Sequence, residues 1–367
     1  MIIGIDASKA AEEKKTGVEN FVYQLILHLK EIDVKNKYLL FTNKKLDQKL
    51  LSLNFQEIFI PFPKFWNKFR LSLAVLKYKP NVYLQPAHTI PMTAPQKTIA
   101  VLHDFGWIKF PDAYTKQQLL FQKMAIKNYA AKAKKVICIS RSTERDLIHY
   151  YPEFQGKTKV IYIGPNQGNT DSQTTKKPED VIRGLKNCRY LISLSRLEER
   201  KNTKRIIEAF YRYKSESAKD VDVKLILVGK PGSGYDQVKS ALESGGKFKS
   251  DIIEAGYLSD LDVNVLMKNA VALLYPSLYE GFGITALEGM KMGVPVITSN
   301  TSSLPEVVGD AAILVDPLKI DEISQAIKKI VSSEALQKSM SKKGIEKGKE
   351  FSWEKTAKAY LNLMEQL

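Results

Sequence analysis

The stretch YPSLYEGFGITALEGMKMGVPVI, residues 275–297, holds in one span the units from which the whole chain is built. Tyr275 to Ser277 closes an apolar, strand-like run, ALLYPS (272–277). Gly281 and Gly283 then let the backbone turn tightly, with no β-carbon to obstruct a ligand. Residues 283–292 follow with helical spacing, and Gly293 before Val-Pro stops them. PVITS (295–299) reads as the next strand.

A helix that starts behind a glycine turn offers free backbone N–H groups and a partial positive charge, which suits a phosphate. Glu288 falls three and four residues after Thr285 and Ile284, on the same helix face and one turn deeper. From there it can accept hydrogen bonds from hydroxyls of a ligand whose phosphates rest on the helix start. Glu280, before the turn, lies to the other side of those phosphates. A ligand with hydroxyls at both ends and phosphates between them, a nucleotide sugar, fits. A loop acid and an exposed helix acid fit the same spacing, so the stretch alone leaves both readings open.

Outward from this segment the same alternation recurs. Apolar runs stand at IIGIDA (2–7), YLLFT (38–42), VYLQ (82–85), TIAVLHD (98–104) and VICIS (136–140). They recur in the second half at YLISLS (190–195), KLILVG (224–229) and AAILVD (311–316). Helical spacing fills the intervals, as at 18–29 and 116–133. Strands alternating with helices predict an α/β chain of parallel sheets covered by helices. The polar, turn-rich stretch GPNQGNTDSQTTKKPED (164–180) separates two such sets. The expected organisation is a first domain over 1–165, a linker over 166–185 and a second domain over 186–348. A last helix, 349–367, is expected to cross back to the first domain. Ligands of open sheets bind beyond the carboxyl ends of the strands, so two doubly wound, Rossmann-like domains would face each other across a cleft.

Size and composition agree with two cores. The chain has 367 residues, 44% hydrophobic and 26% charged. Cys138 and Cys188 each sit in an apolar run and read as buried, reduced thiols. No apolar run approaches the roughly 20 residues that cross a bilayer, and MIIGIDAS is too short and too quickly polar for a signal peptide. These features predict a cytoplasmic protein, with peripheral attachment at the inner face of the cell membrane as its membrane-bound variant. The formal charge of +16 is uneven. Residues 1–166 carry 26 Lys and Arg against 13 Asp and Glu, or +13, and the remainder carries 30 against 27, or +3. A basic half beside a near-neutral half points to an anionic partner, nucleic acid or anionic lipid, or simply to a soluble lysine-rich surface.

A second segment adds chemistry. LISLSRLEERKNTKRIIEAF (191–210) is a strand, a short loop with Arg196 and Lys201, and a helix. Cations fixed at a strand end can hold a diphosphate and stabilise the negative charge that grows on it as it leaves. Two other patterns carry less. Asp260-Leu261-Asp262 spells a D-x-D metal signature, but before the helical run 263–270 it reads as an N-cap with a first-turn acid, so no metal site is expected. The glycines of VGKPGSGYD (228–236) run G-x-x-G-x-G, not the dinucleotide order, which argues against a nicotinamide enzyme. No zinc spacing, RNA-recognition strand or Arg-rich recognition helix supports nucleic-acid binding.

Three motifs together resemble the retaining glycosyltransferases of the GT-B fold, the group-1 or family-4 class. They are SRLEERKN (195–202), the E-x7-E element EGFGITALE (280–288) and GVPVITSNTSSLPEVVGDAAILVDP (293–317). The likeness runs from TGVENFVYQL near the start to FSWEKTAKAYLNLM (351–364). It implies that Glu280 meets the donor sugar and Glu288 the ribose. Arg196 and Lys201 would hold the diphosphate, with amides around Phe282, Gly283, Ile284 and Thr285. Tyr257 and Leu258, in AGYL (255–258), would receive the base, Gly17 would close over the phosphates, and His103 would lie near the sugar's 6-hydroxyl and reacting carbon. The implied activity is transfer of a hexose from a nucleotide-diphosphate sugar to a saccharide or lipid-linked saccharide, with retention and without metal or other cofactor. The TGVENFVYQL, HD and EGFGITALE combination resembles polysaccharide-building branches, many of which use GDP-mannose. A disaccharide-phosphate synthase or phosphorylase on the same fold is the alternative enzyme, and a basic nucleic-acid-binding protein the alternative outside enzymes.

One segment speaks to the anionic partner. PFPKFWNKFRLSLAVLKYKP (61–80) mixes Phe62, Phe65, Trp66 and Phe69 with Lys64, Lys68, Arg70, Lys77 and Lys79. As a helix from about Lys64 it sets an apolar face (Phe65, Phe69, Ser72, Leu73, Leu76) beside cations. It reads either as a crossover helix on the first sheet with a solvated basic side, or as an interfacial helix on anionic lipid.

Overall fold

Short apolar runs become parallel strands because helices cover both faces of each sheet, which removes the polar alternation of a half-exposed strand. The computed structural model describes residues 1–13, 15, 17–61, 69–87, 89–165, 175–217 and 222–367. It divides into one unit of Met1–Gly164 with Phe351–Leu367 and another of Pro165–Glu350.

The first unit contains β1 (Ile2–Asp6), β2 (Lys37–Thr42), β3 (Phe55–Phe59), β4 (Val82–Gln85), β5 (Thr98–Leu102), β6 (Lys135–Cys138) and β7 (Thr158–Val160). They form one sheet in the order β3-β2-β1-β4-β5-β6-β7. The second unit contains β8 (Arg189–Leu194), β9 (Val223–Val228), β10 (Ile252–Gly256), β11 (Ala272–Tyr275), β12 (Val296–Ser299) and β13 (Ile313–Val315). Their order is β10-β9-β8-β11-β12-β13. Every pairing among them is parallel, with registers such as Ile5↔Leu40 and Leu273↔Val296. Each chain segment starts mid-sheet, winds to one edge and returns to wind the other way. The reversal lies between β1 and β4 in the first sheet and between β8 and β11 in the second, where such sheets open a crevice.

The last helix, Trp353–Gln366, belongs to the first unit and packs on the helix Gly17–Ile32. Ser352 caps it by accepting from Lys355 N. The Trp353 ring lies 5.9 Å from Phe21 and stacks on His28 at 6.3 Å, and Thr356 donates to Tyr162 O at 2.8 Å. A β-carbon at Gly164 would fall 2.4 Å from Trp353 N, so only glycine admits this approach.

Several sequence expectations need adjustment. Asp260 is not the cap of its helix. Ser259 accepts from Asp262 N, and both acids sit in the first turn of Asp260–Lys268, because the serine hydroxyl one residue earlier already satisfies the free amide. Asp262 pairs with Lys176 at 2.5 Å and also accepts from Ser259 Oγ at 2.9 Å. Of the expected linker, 166–174 lies outside the described residues, whereas Pro178–Val181 is helical within the second unit. Cys138 is buried and burial pushes its thiol up, but Cys188 is only half-buried.

The helix expected from about Lys64 is described as Leu71–Tyr78, and it packs on the first sheet as a crossover helix would, with Ser72 on the buried side and not on the outer apolar face. Leu71, Ser72 and Val75 are buried, and Leu71 and Val75 pack on Leu39, Phe41 and Tyr83 of the first sheet. Phe69, Leu73 and Leu76 are exposed, so the outward side is apolar as well as basic. Phe62, Lys64, Phe65, Trp66 and Lys68 lie outside the described residues.

Candidate functional site

The second unit places a cluster of charged groups at the reversal between β8 and β11. After β8 the chain turns through the short 3-10 segment Glu199–Lys201 and enters the helix Thr203–Glu216 through Asn202, which is left-handed at φ 62°. Asn202 is buried and donates to Pro276 O at 3.0 Å and Pro317 O at 2.6 Å, tying this loop to the ends of β11 and β13. Leu278 N donates to Arg200 O at 2.9 Å. The loop carrying Lys201 is therefore fixed against the loop carrying Glu280.

Glu280 is the centre of the cluster. Its Oε1 accepts from Lys201 Nζ at 2.5 Å and from Tyr275 Oη at 2.7 Å, and Lys201 also donates to Tyr275 Oη at 3.0 Å. Arg200 lies 3.7 Å from Oε2 of Glu280 and 3.3 Å from Glu198. The backbone of Glu280 is pinned too: its N–H donates to Ser302 Oγ at 3.1 Å and its carbonyl accepts from Ser303 Oγ at 2.9 Å. Burial alone would raise the Glu280 carboxyl, but the Lys201 ammonium and Arg200 guanidinium outweigh it and hold the group below the usual carboxylate range. Burial likewise pulls the Lys201 ammonium down, and Glu280 more than offsets it. Tyr275 is pushed up to about 12, first by burial and then by the neighbouring carboxylate, so it stays a donor. Two cations face two acids, which leaves the cluster balanced in charge.

The helix Ile284–Lys291 begins one turn away. Gly283 caps it at φ 95°, a conformation that needs glycine, and a β-carbon there would meet Leu304 at 2.6 Å. Ile284, Thr285 and Glu288 are half-buried along this start, and Phe282 is buried. Arg196 lies just past β8 and is exposed. Its segment is held by the glycine loop after β9: Leu197 N donates to Lys230 O at 2.9 Å and Gly232 N to Leu197 O at 3.0 Å. A β-carbon at Gly229 would lie 1.8 Å from Ser195 O, so the glycines of 228–236 serve this close approach. Tyr257 and Leu258 follow the edge strand β10; Tyr257 is exposed with Lys230 Nζ 4.9 Å from its ring centre. From β10 to β11 the sheet spans three strand spacings, about 14 Å, so Tyr257, Arg196 and the Glu280 cluster form one row along its carboxyl edge.

The remaining candidates belong to the first unit. His103 sits just past β5, half-buried, with Nε2 2.9 Å from Pro86 O and its ring edge-on to Phe21 at 4.9 Å. Gly17 opens the helix Gly17–Ile32, and nothing lies within 4 Å of a β-carbon placed on it. Sequence reasoning did not single out Tyr275, Arg200, Asn202, Ser302 or Ser303. Only Asn202 left a signal, as a residue type that tolerates positive φ just before a helical run.

Comparison with known proteins follows this geometry. Residues 176–347 match the family described as glycosyl transferases group 1. The O-antigen chain mannosyltransferase B of Escherichia coli is 27% identical over 300 residues, covering 80% of this chain and 76% of that protein. The serotype-specific mannosyltransferase WbdA of Escherichia coli is 27% identical over 270 residues, 72% of this chain but 32% of WbdA, so the match spans about a third of that relative. Among solved structures, HepE of Anabaena in complex with UDP-glucose superposes with a TM-score of 0.70 at 18% identity, covering 100% of this chain and 99% of that one. That likeness shows the fold, two parallel-sheet α/β domains of the GT-B type.

Proposed function

Residues 176–347 are a group 1 glycosyl transferase domain, and from that premise we propose that the protein is a retaining mannosyltransferase. It would take mannose from GDP-mannose and add it to a growing saccharide, free or lipid-linked. The sugar and the acceptor class are carried over from the mannosyltransferases it resembles. The observation that carries the catalytic reading is the buried Lys201–Glu280–Tyr275 cluster at the β8/β11 reversal.

The base would lie by Tyr257 and Leu258, the ribose by Glu288, and the diphosphate between exposed Arg196 and the amides of Gly283 and Ile284. Lys201 is engaged by Glu280 and would reach the diphosphate only by sharing that partner. As the bond from the anomeric carbon to phosphate breaks, the diphosphate gains charge that Arg196 and Lys201 oppose. As Lys201 turns to the phosphate, Glu280 is left more negative toward the positively charged sugar. Glu280 would act through its charge, held in place by Tyr275 and the Arg200 guanidinium. The acceptor oxygen then bonds the anomeric carbon on the face the diphosphate leaves, and its proton passes to that diphosphate.

The test is transfer with purified protein. GDP-mannose should release GDP in the presence of saccharide acceptor and in chelator, and the product should keep the donor's anomeric configuration by NMR. Saturating donor at a hundred times its dissociation constant should stabilise the fold by about 2.7 kcal/mol. Release from UDP-glucose but not GDP-mannose would overturn the donor, and an inverted product would overturn the mechanism.

A further inference from the structure

In the first unit, apolar side chains remain at the surface on two neighbouring helices. On the helix Leu71–Tyr78 and the helical residues just before it, Phe69, Leu73 and Leu76 follow i, i+4, i+7 spacing and are exposed, Leu73 by 62%. On the helix Lys116–Lys132, Leu120 and Met124 are exposed at i, i+4, Leu120 by 61%. No residue from 116 to 124 is buried. The two helices are hydrogen-bonded through one strap. Met92 N donates to Ser72 Oγ at 2.9 Å, Ile90 N to Asn128 Oδ1 at 2.7 Å, and Lys132 Nζ to Met92 O at 3.0 Å. Met92 itself is exposed between them.

The same elements concentrate the charge. Residues 58–103 contain six Lys and Arg and no acid; residues 113–143 contain seven and no acid. Those thirteen cations equal the whole excess of the first unit, since its other residues, 1–57, 104–112, 144–164 and 351–367, carry 15 cations and 15 acids. Exposed Lys77 and Lys79 accompany the first helix, and exposed Lys116, Lys123 and Lys127 the second.

We propose that this surface docks on an anionic lipid bilayer, with Phe69, Leu73, Leu76, Met92, Leu120 and Met124 entering the headgroup region and the lysines meeting lipid phosphates. The proposal goes beyond the catalytic reading and does not depend on it. Interleaved apolar and cationic side chains on helix faces are what an interfacial surface requires. A second copy of the chain would set this acid-free surface against itself across a two-fold axis, where its cations repel. Nucleic acid would use the cations but leave the aliphatic chains without a partner.

The experiment is co-sedimentation of the full chain with vesicles of phosphatidylcholine, with and without phosphatidylglycerol. The intact protein should bind only the phosphatidylglycerol vesicles at low salt and leave them as salt rises, because the attraction is screened. The pair Leu73→Ser with Leu120→Ser, and separately Lys123→Glu with Lys127→Glu, should each weaken binding about tenfold or more. The melting temperature and circular dichroism of the unliganded protein should be unchanged in both, which verifies their fold. Absence of binding at low salt overturns the proposal. So does unchanged binding by both pairs, a dimer dispersed by the leucine pair, or retention on duplex DNA that exceeds vesicle binding and is lost only in the lysine pair.

Discussion

Both units wind their sheets the same way, and each places a buried acid at the point of reversal. At β1/β4 it is Asp6, at β8/β11 Glu280. Asp6 accepts from Ser8 N at 3.1 Å, Ser8 Oγ at 2.6 Å and Gln85 Nε2 at 2.8 Å, all neutral donors from the two strand ends it joins. Glu280 accepts from Lys201 and Tyr275 and faces Arg200, with Lys201 79 residues away in sequence. The first arrangement braces a crevice. The second holds two cations beside a carboxylate, and in the proposed reaction these are redistributed when the diphosphate arrives. A shared winding, over seven strands in one sheet and six in the other, thus leaves function to the side chains at the crevice.

The largest expected effect tests the stored charges. Lys201→Ala leaves a buried carboxylate with one cation fewer and should cost about 3–5 kcal/mol in denaturant unfolding. Lys201→Met with Glu280→Leu should recover most of that stability while activity stays lost. The pH dependence has a defined sign. Glu280 is held low, so its contribution is present above its ordinary value of 4.5 and is lost as pH falls through its folded value. Lys201 is held high, so its contribution is present below 10.5 and is lost as pH climbs through its folded value. The double variant should lack both losses. Full activity in Lys201→Ala would break the contrast between the two crevices.

The brace comes next. Asp6→Ala takes the acceptor from the Ser8 hydroxyl and from one of the two Gln85 Nε2 hydrogens, the other still donating to Ala87 O, and should cost about 1–3 kcal/mol. Donor affinity, measured by titration calorimetry, should be unchanged. A matching loss of donor affinity would mean that the first crevice serves the same ligand.

Much of this was legible in the sequence, and the limits have physical causes. Parallel strands buried on both faces show as unbroken apolar runs, so IIGIDA, VYLQ and YLISLS announced themselves. Glu280 and Lys201 were reached through motif spacing and family resemblance. Their mutual contact was not, because it joins residues distant in the chain. Tyr275 reads in sequence only as the end of a strand, and its hydroxyl matters only once Glu280 folds back over it. Ser259 and Asp260 are both residue types that cap helices, and only the folded backbone decides for the Ser259 hydroxyl. The helix Leu71–Tyr78 showed one apolar stripe, but only packing reveals that Leu71 and Val75 form the buried side and Leu73 and Leu76 the outer one.

A smaller effect separates the two donors on Glu280. Tyr275→Phe keeps the ring and removes one hydrogen bond, at about 1 kcal/mol of stability. Turnover should fall by about tenfold with little change in donor affinity, because the carboxylate loses orientation while the Lys201 charge remains. Equal losses in turnover and affinity would assign Tyr275 to donor binding instead.

The smallest effect concerns the backbone beneath Glu280. Four described residues other than glycine have positive φ, and two of them, Asn202 and Ser302, hold this site. Ser302 stands at φ 55° while its Oγ accepts from the Glu280 amide. Ser302→Ala removes the hydrogen bond and keeps the strained conformation, so it should destabilise by about 1 kcal/mol. Ser302→Gly removes the same bond but also relieves the strain, so the two effects should nearly cancel. The difference between the two variants isolates the strain, about 1 kcal/mol, and denaturant unfolding can measure it. Turnover should fall equally in both if the hydrogen bond is what fixes Glu280. If the glycine variant alone loses turnover, the rigid turn rather than the bond positions the carboxylate, and the second crevice would owe its precision to backbone strain that the first does without.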